Sequence, residues 1–341
     1  MNSKLNELTK MQGMNLKSLS FSASVPYSTV LYLSKNSISK WNSSQIKSIS
    51  QALSISQSHF IEQIQKPVLS PFIKWVGGKR QLLPELLKHV PNSFNNYYEP
   101  FVGGGALLLK LEPSKAYIND FNEELSNTWT VVKNNLDDLV VSLKQHEKLD
   151  SKEHYLDVRS VDRDGRILNM SNIERASRFI YLNKAGYNGL WRVNQKGQNN
   201  VPFGGHKKLN LAPNCIYSDS NYLNSKEIKI TSGDYKECLK TVNKNDFVYL
   251  DPPYIPVNPT SSFTSYTKNG FGLIQQKELA EQAKALAYKG AKVMLSNADV
   301  PLIQELYKDK IFKVHHVEAN RVLNSNARKR GKVGEVIITT Y

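Results

Sequence analysis

The run Phe247-Val248-Tyr249-Leu250, followed at once by Asp251-Pro252-Pro253-Tyr254, is the most informative stretch of the 341-residue sequence. Four apolar residues that stop abruptly at two prolines predict a short strand, and the prolines lock φ and remove two N–H donors, so the strand ends in a stiff corner. Working outward, further strands are predicted at 97–101, 116–119, 292–296 and 333–341, and helices at 106–111, 275–288 and 301–307. Short strands alternating with helical stretches are the pattern of an α/β sheet with crossover helices. In open sheets of that kind ligands gather outside the carboxyl ends of the strands, which is where Asp251 to Tyr254 fall.

The chemistry of the corner suits an exocyclic amino group on a nucleobase. The nitrogen lone pair of such a group is delocalised into the ring, and two acceptors on its hydrogens would localise it. The Asp251 carboxylate and the Pro252 carbonyl can serve as those acceptors, and Tyr254 offers a flat face for an extruded base. The plainer alternative is that the tetrapeptide is only a rigid turn.

A second segment, Tyr97-Tyr98-Glu99-Pro100-Phe101-Val102-Gly103-Gly104-Gly105-Ala106, runs from a strand through three glycines into a helix. Glycine permits a tight turn and close approach of a cofactor to the backbone. The pattern is not GxGxxG, which favours a cofactor without a pyrophosphate. The following strand ends at Asp120, a position where an acidic residue grips the ribose hydroxyls of nucleoside cofactors. A third segment, Phe72-Ile73-Lys74-Trp75-Val76-Gly77-Gly78-Lys79, lacks the first glycine and the final Ser or Thr of a P-loop.

Taken together and in this order, the three segments resemble the Dam-type (D12 class) family of DNA adenine-N6 methyltransferases, whose hallmarks are KWAGGK, EPFVGxG and DPPY. The likeness extends from Phe72 to the C-terminus. It includes Leu182-Asn183-Lys184-Ala185-Gly186-Tyr187-Asn188-Gly189-Leu190, Val201-Pro202-Phe203-Gly204, Ser262-Phe263-Thr264-Ser265-Tyr266 and Leu295-Ser296-Asn297, with Val76 standing where Ala is usual. The resemblance implies a seven-stranded Rossmann-like methyltransferase sheet with S-adenosylmethionine as methyl donor, no metal, and an inserted helical and hairpin recognition domain. By residue-for-residue matching it assigns Trp75, Lys79, Glu99, Phe101, Gly103, Asp120 and Asp251 to the cofactor, and Asp251, Pro252 and Tyr254 to catalysis. Lys74, Tyr187, Asn188, Leu190, Arg192 and Pro202 are assigned to DNA, with GATC as the implied target. An arginine can pair with the two major-groove acceptors of guanine, and Tyr or Leu can wedge into the stack left by a flipped base. A phosphate contact or a surface charge is the alternative for Arg192.

The expected domains are 1–66, a small all-α module; 67–145 and 233–341, the two parts of the catalytic domain; and 146–232, a polar, basic and aromatic-rich insertion. Within the insertion an amphipathic helix is predicted at 173–184 and a β-hairpin turning near Gly197. The boundary near 66 rests on Lys66-Pro67-Val68-Leu69-Ser70-Pro71, where two prolines disfavour helix. Ahead of it, Leu16 and Leu19 suit a short helix, 22–26 a turn, and 27–33 a second helix. A third helix carries Ile46, Ile49 and Leu53 behind a cap at Ser43 or Ser44. The first two resemble the helix-turn-helix of phage-repressor-like DNA-binding proteins, with Tyr27, Ser28 and Thr29 opening the second helix. A small bundle that binds protein is the alternative.

Composition bounds the rest. Forty-five Lys and Arg against 30 Asp and Glu give a net charge of +15, which points to a polyanionic partner, double-stranded DNA before membrane, because no apolar run reaches a bilayer-spanning length. A hydrophobic fraction of 40% supports a packed core. Two cysteines, Cys215 and Cys238, without a CxxC pair, argue against zinc or disulfides and, with the absence of a signal-like apolar start, for the cytoplasm. Three other readings stay open: cytosine-N4 methylation, RNA as substrate, and a DNA-binding regulator whose methyltransferase part is vestigial. A cognate restriction endonuclease is a possible partner.

Overall fold

The computed structural model describes residues 4–254, 271–320 and 332–341. The chain divides into two compact units, Met1–Val68 and Leu69–Tyr341.

The first unit contains α1 (Lys4–Met11), α2 (Leu16–Ser22), α3 (Tyr27–Leu33), α4 (Ser43–Ala52) and α5 (Gln57–Gln65). The three helices expected from sequence are present, with α1 and α5 in addition. Side-chain caps set the starts of α2, α4 and α5. The Asn15 side chain accepts from the N–H groups of Lys17 and Ser18, and Ser56 accepts from that of His59. The cap of α4 is Asn42 rather than Ser43 or Ser44: its side chain and that of Gln45 bond each other's backbone N–H groups, a reciprocal pairing that a serine at the next position would not close. The α2–α3 turn places Ser24 at φ 52°, a left-handed conformation that costs a residue with a Cβ about 1 kcal/mol or more. Leu5, Leu19, Val30, Leu33, Ile49, Leu53 and Phe60 form the buried core, with the Trp41 ring 5.6 Å from Phe60.

In the second unit, α6 (Leu83–Lys88) leads into β1 (Tyr97–Glu99), α7 (Ala106–Leu111) and β2 (Lys115–Asp120). Four helices follow: α8 (Glu123–Asn134), α9 (Leu136–Leu149), α10 (Lys152–Ser160) and α11 (Asn172–Ala185). Then come α12 (Asn214–Ser225), β3 (Glu227–Ser232), α13 (Tyr235–Leu239), β4 (Phe247–Leu250), α14 (Leu273–Tyr288), β5 (Lys292–Ala298), α15 (Pro301–Leu306), β6 (Lys313–Asn320) and β7 (Lys332–Thr339). The strands make one seven-stranded sheet in the order β3-β2-β1-β4-β5-β7-β6. The first five are parallel, while β7 runs antiparallel to both β5 and β6. All four residues of β4 are buried, which accounts for its unbroken apolar run.

The strand order reverses between β1 and β4, because the chain lays β2 and β3 on one side of β1 and returns to start β4 on the other. The carboxyl ends of β1 and β4 therefore flank the crevice where ligands bind in such sheets. Two features differ from expectation. The stretch expected as an insertion, 146–232, includes β3, the edge strand of the sheet, whose alternating Glu227-Ile228-Lys229-Ile230 buries Ile228 and half-buries Ile230. The hairpin near Gly197 is a loop closed by a single bridge between Val193 and Asn199, in which the Asn194 side chain accepts from the N–H groups of Lys196 and Gln198 instead of leaving them to a ladder.

Candidate active site

Three carboxylates meet at the strand ends around the crossover point. Glu99 closes β1, Asp120 closes β2 and Asp251 follows β4. Asn119, itself buried, ties these ends together by donating to the carbonyls of Pro100 (3.2 Å) and Gly233 (2.9 Å).

Asp251 is paired with Lys79, whose Nζ lies 2.6 Å from its Oδ1. The same ammonium donates to the Gly77 carbonyl at 2.6 Å and sits 4.5 Å from the centroid of the Tyr254 ring. A buried lysine held by the Gly77-Gly78 turn is thus the cation of this cluster. Burial raises Asp251 to about 6 against the opposing pull of Lys79. Burial also raises Asp120 to about 6, although its oxygens accept the N–H groups of Gly103 (3.0 Å) and Asn122 (3.0 Å). Glu99 is pushed up to about 8 by burial, opposed by the Tyr97 hydroxyl that donates to it at 2.9 Å, and it also accepts from the Leu108 N–H at 3.2 Å. At neutral pH Glu99 holds its proton. A cation bound beside these three groups would favour their ionised forms, so the donor set fits a positively charged cofactor.

The glycines of the second segment are explained by indoles. A Cβ on Gly103 (φ +49°) would meet Trp75 Cδ1 at 2.6 Å, and one on Gly105 (φ +65°) would meet the Trp129 ring at 2.7 Å. Trp129 also donates to the Gly103 carbonyl at 3.0 Å. Trp75 therefore lies over the glycine turn, half-buried, and also packs against the core with its ring 6.2 Å from Phe179. Phe101 packs its ring 5.1 Å from Tyr235 and 5.7 Å from Phe271.

At the corner itself, Tyr254 donates its hydroxyl to Glu335 Oε2 on β7 at 3.1 Å, and the Pro253 carbonyl accepts from Gln276 at 2.8 Å. Among the described residues no hydrogen bond is made to the Pro252 carbonyl. Glu335 and Gln276 are absent from the sequence reading. The available signal was a polar residue within an apolar pattern: Gln276 shares the buried stripe of α14 with Leu279, Ala280 and Ala283, and Glu335 precedes the buried Val336-Ile337-Ile338.

The residues matched to DNA cluster on one loop pair. Tyr187 donates its N–H to the Pro202 carbonyl at 2.8 Å, and Gly186 bridges Phe203. Tyr187, Asn188 and Pro202 are exposed and Leu190 is half-buried. Asn183 staples this loop to the third segment: it accepts from the Lys74 N–H and donates to the carbonyls of Lys74 (2.8 Å) and Gly189 (3.1 Å). The Lys74 side chain crosses Gly189 so closely that a Cβ there would lie 2.5 Å from Lys74 Cδ. Arg192 is turned toward its own loop, bonding the Asn200 side chain at 2.7 Å. Trp191 is buried against Phe179 of α11, 4.2 Å between ring centroids. The stretch 262–266 lies outside the described residues.

A mostly parallel sheet with three carboxyl groups at the strand ends around its crossover point and an Asp-Pro-Pro-Tyr corner is compatible with a group-transfer enzyme acting on a base. The chain belongs to the D12 class of N6 adenine-specific DNA methyltransferases, whose family model matches residues 75–323. It is an adenine-specific DNA methyltransferase, and its mixed seven-stranded sheet is consistent with the fold of S-adenosylmethionine-dependent methyltransferases. It is 49% identical over 280 residues to the Type II methyltransferase M1.LlaDCHI of Lactococcus lactis subsp. cremoris, covering 82% of this chain and 98% of that relative. The Type II methyltransferase M.MjaIII of Methanocaldococcus jannaschii is 39% identical over 295 residues, with 80% and 99% covered. The DNA adenine methylase of Haemophilus influenzae is 34% identical over 284 residues, with 81% and 96% covered. No described helix is long and apolar enough to cross a membrane.

Proposed function

We propose that the chain methylates N6 of adenine in duplex DNA, within GATC and by base flipping, with S-adenosylmethionine as donor. The observation that carries this reading is the corner: a mostly buried Asp251 carboxylate beside the Pro252 carbonyl, at the crossover point, next to Glu99 and Asp120. S-adenosylmethionine, when bound, supplies an electrophilic methyl group on a cationic sulfur. Trp75, Lys79, Glu99, Phe101, Gly103, Asp120 and Asp251 form its site, and the carboxylates favour its positive charge. Asp251 and the Pro252 carbonyl would accept hydrogen bonds from the two N6 hydrogens and localise the lone pair; as N6 took the methyl group the sulfur–methyl bond would break to leave a neutral thioether, and the proton then shed by N6 would pass by way of the Asp251 carboxylate to solvent. Tyr254, with Lys79 over one ring face, stacks the extruded base on the other.

Lys74, Tyr187, Asn188, Leu190, Arg192 and Pro202 form the target-reading face, within an insertion that begins near 146. Arg192 must leave Asn200 to reach a guanine. Residues 1–66 act as a helix-turn-helix DNA-binding module through the start of α3, where Tyr27 and Ser28 are exposed. Two relatives are named Type II methyltransferases, which supports a role beside a cognate restriction endonuclease, and a DNA substrate supports a cytoplasmic location.

The test is to express the chain in cells lacking adenine methylation, digest their DNA to nucleosides and map the modified positions. N6-methyladenine confined to GATC, and its loss in Asp251→Ala, is the expected result. N4-methylcytosine in its place, or methylation that survives Asp251→Ala, would overturn the assignment.

A further inference from the structure

We infer that Gln276 is a positioning residue for methyl transfer, the middle of a buried relay that runs from Asn297 through its amide to the Pro253 carbonyl and orients the Asp-Pro-Pro-Tyr corner. The inference rests on the reading of that corner as the part that grips the target base.

The corner has an unusual mechanical problem. Its two prolines fix φ but supply no N–H with which neighbouring elements could anchor it, so its remaining freedom lies in the ψ rotations that swing the Pro252 and Pro253 carbonyls. The Gln276 amide arrests one of them. Its Nε2 donates to the Pro253 carbonyl at 2.8 Å, fixing the peptide plane from which Tyr254 departs. The far end of the same amide accepts from Asn297 Nδ2 at 3.1 Å. Asn297 is oriented in turn by the Ala298 N–H, which donates to its Oδ1 at 2.9 Å.

This arrangement has a single polarity. Flipping the Gln276 amide would set its oxygen against the Pro253 carbonyl and its NH₂ against the Asn297 NH₂. Gln276 and Asn297 are both fully buried, so water does not compensate a broken link, and each unmet group carries its full desolvation cost. Among the described residues neither side chain hydrogen-bonds to Asp251 or to the Pro252 carbonyl. The relay joins β5, the first turn of α14 and the corner after β4, and so converts sheet geometry into the direction of the corner.

Gln276→Glu, Gln276→Met and Asn297→Asp, compared with Asp251→Ala, test this by kcat, KM for duplex DNA, S-adenosylmethionine affinity and thermal unfolding. Misorientation of a reacting group costs about 10- to 100-fold, and we expect a loss of that size in kcat with KM and cofactor affinity nearly unchanged. The Glu variant adds a signature: only its neutral carboxyl can both donate to Pro253 and accept from Asn297, so its activity relative to wild type should climb as pH falls from 8.5 to 6. That variant is isosteric and carries the test if Gln276→Met fails to fold. Wild-type kcat in the folded variants, or a loss confined to KM with a pH profile parallel to wild type, overturns the inference. Should Asp251→Ala also remain active, the reading of the corner itself falls; an inactive Asp251→Ala beside fully active Gln276 variants removes only the relay.

Discussion

The ammonium of Lys79 stands 2.6 Å from the Asp251 carboxylate, and the two residues come from distant parts of the chain, one from the segment that precedes the sheet and the other from the end of β4. The lysine is buried and the carboxylate mostly so, and the lysine acts less as a surface tether than as the counter-ion that keeps Asp251 ionisable.

Lys79→Met should therefore raise the acid limb of the methylation profile. In wild type, transfer should need ionised Asp251 and fall as pH drops through the value of that carboxyl, about 6 without cofactor and lower with the cationic cofactor bound. Removing the ammonium shifts that limb upward by on the order of one unit, which slows transfer about tenfold on the acid side of the limb and only about twofold at pH 7. Single-turnover rates between pH 5 and 9 give the answer, and an unmoved limb would show that Lys79 does not govern Asp251.

Glu99 makes a stability prediction of definite sign. Its carboxyl is raised from 4.5 to about 8 in the fold, so the stability that it contributes is complete below 4.5 and is lost as pH rises through 8. Glu99→Gln, which cannot ionise, should match wild type near pH 4 and exceed it near pH 9 by on the order of a few kcal/mol. Urea unfolding at the two pH values checks it. Greater relative stability of wild type at pH 9 would reverse the assignment.

Cofactor binding should release protons. A cation placed among Glu99, Asp120 and Asp251 lowers the raised values of all three, so titration calorimetry near pH 7 in buffers of different ionisation enthalpy should report proton release with S-adenosylmethionine. S-adenosylhomocysteine, whose sulfur is neutral, should release fewer. Equal release by both ligands would remove the electrostatic argument for a sulfonium site.

Gly189→Ala should weaken DNA binding through Lys74. The added Cβ would sit 2.5 Å from Lys74 Cδ, at φ +66°. A cost of roughly 1–3 kcal/mol in stability is expected. Pairing the change with Lys74→Ala should relieve the steric share, so the double variant loses less stability than the sum of the singles. Strict additivity would mean that the contact is unimportant.

Much of the local structure was open to reading along the chain. The β4 run and its double proline, the glycine turn between β1 and α7, and the limits of α7 agree closely with the structure. These are local matters: apolar patterning and the fixed φ of proline act over a few residues. The helix predicted at 173–184 is α11, bounded by a Ser171–Glu174 capping box that the same local rules allow. Strands β3 and β6 escaped because they lie at the edges of the sheet, where charged and histidine residues interrupt the apolar pattern.

What local reasoning could not supply was the identity of each residue's neighbour. Glycine was readable at 103 and 105, but that indoles fill the space above them follows from where the third segment and α8 pack. The partnerships of Tyr254 with Glu335 and of Pro253 with Gln276 span 81 and 23 residues. Backbone preferences belong to neighbours in the chain and are written in order along it. Contacts between distant residues depend on strand register and helix packing, which exist once the whole sheet has assembled.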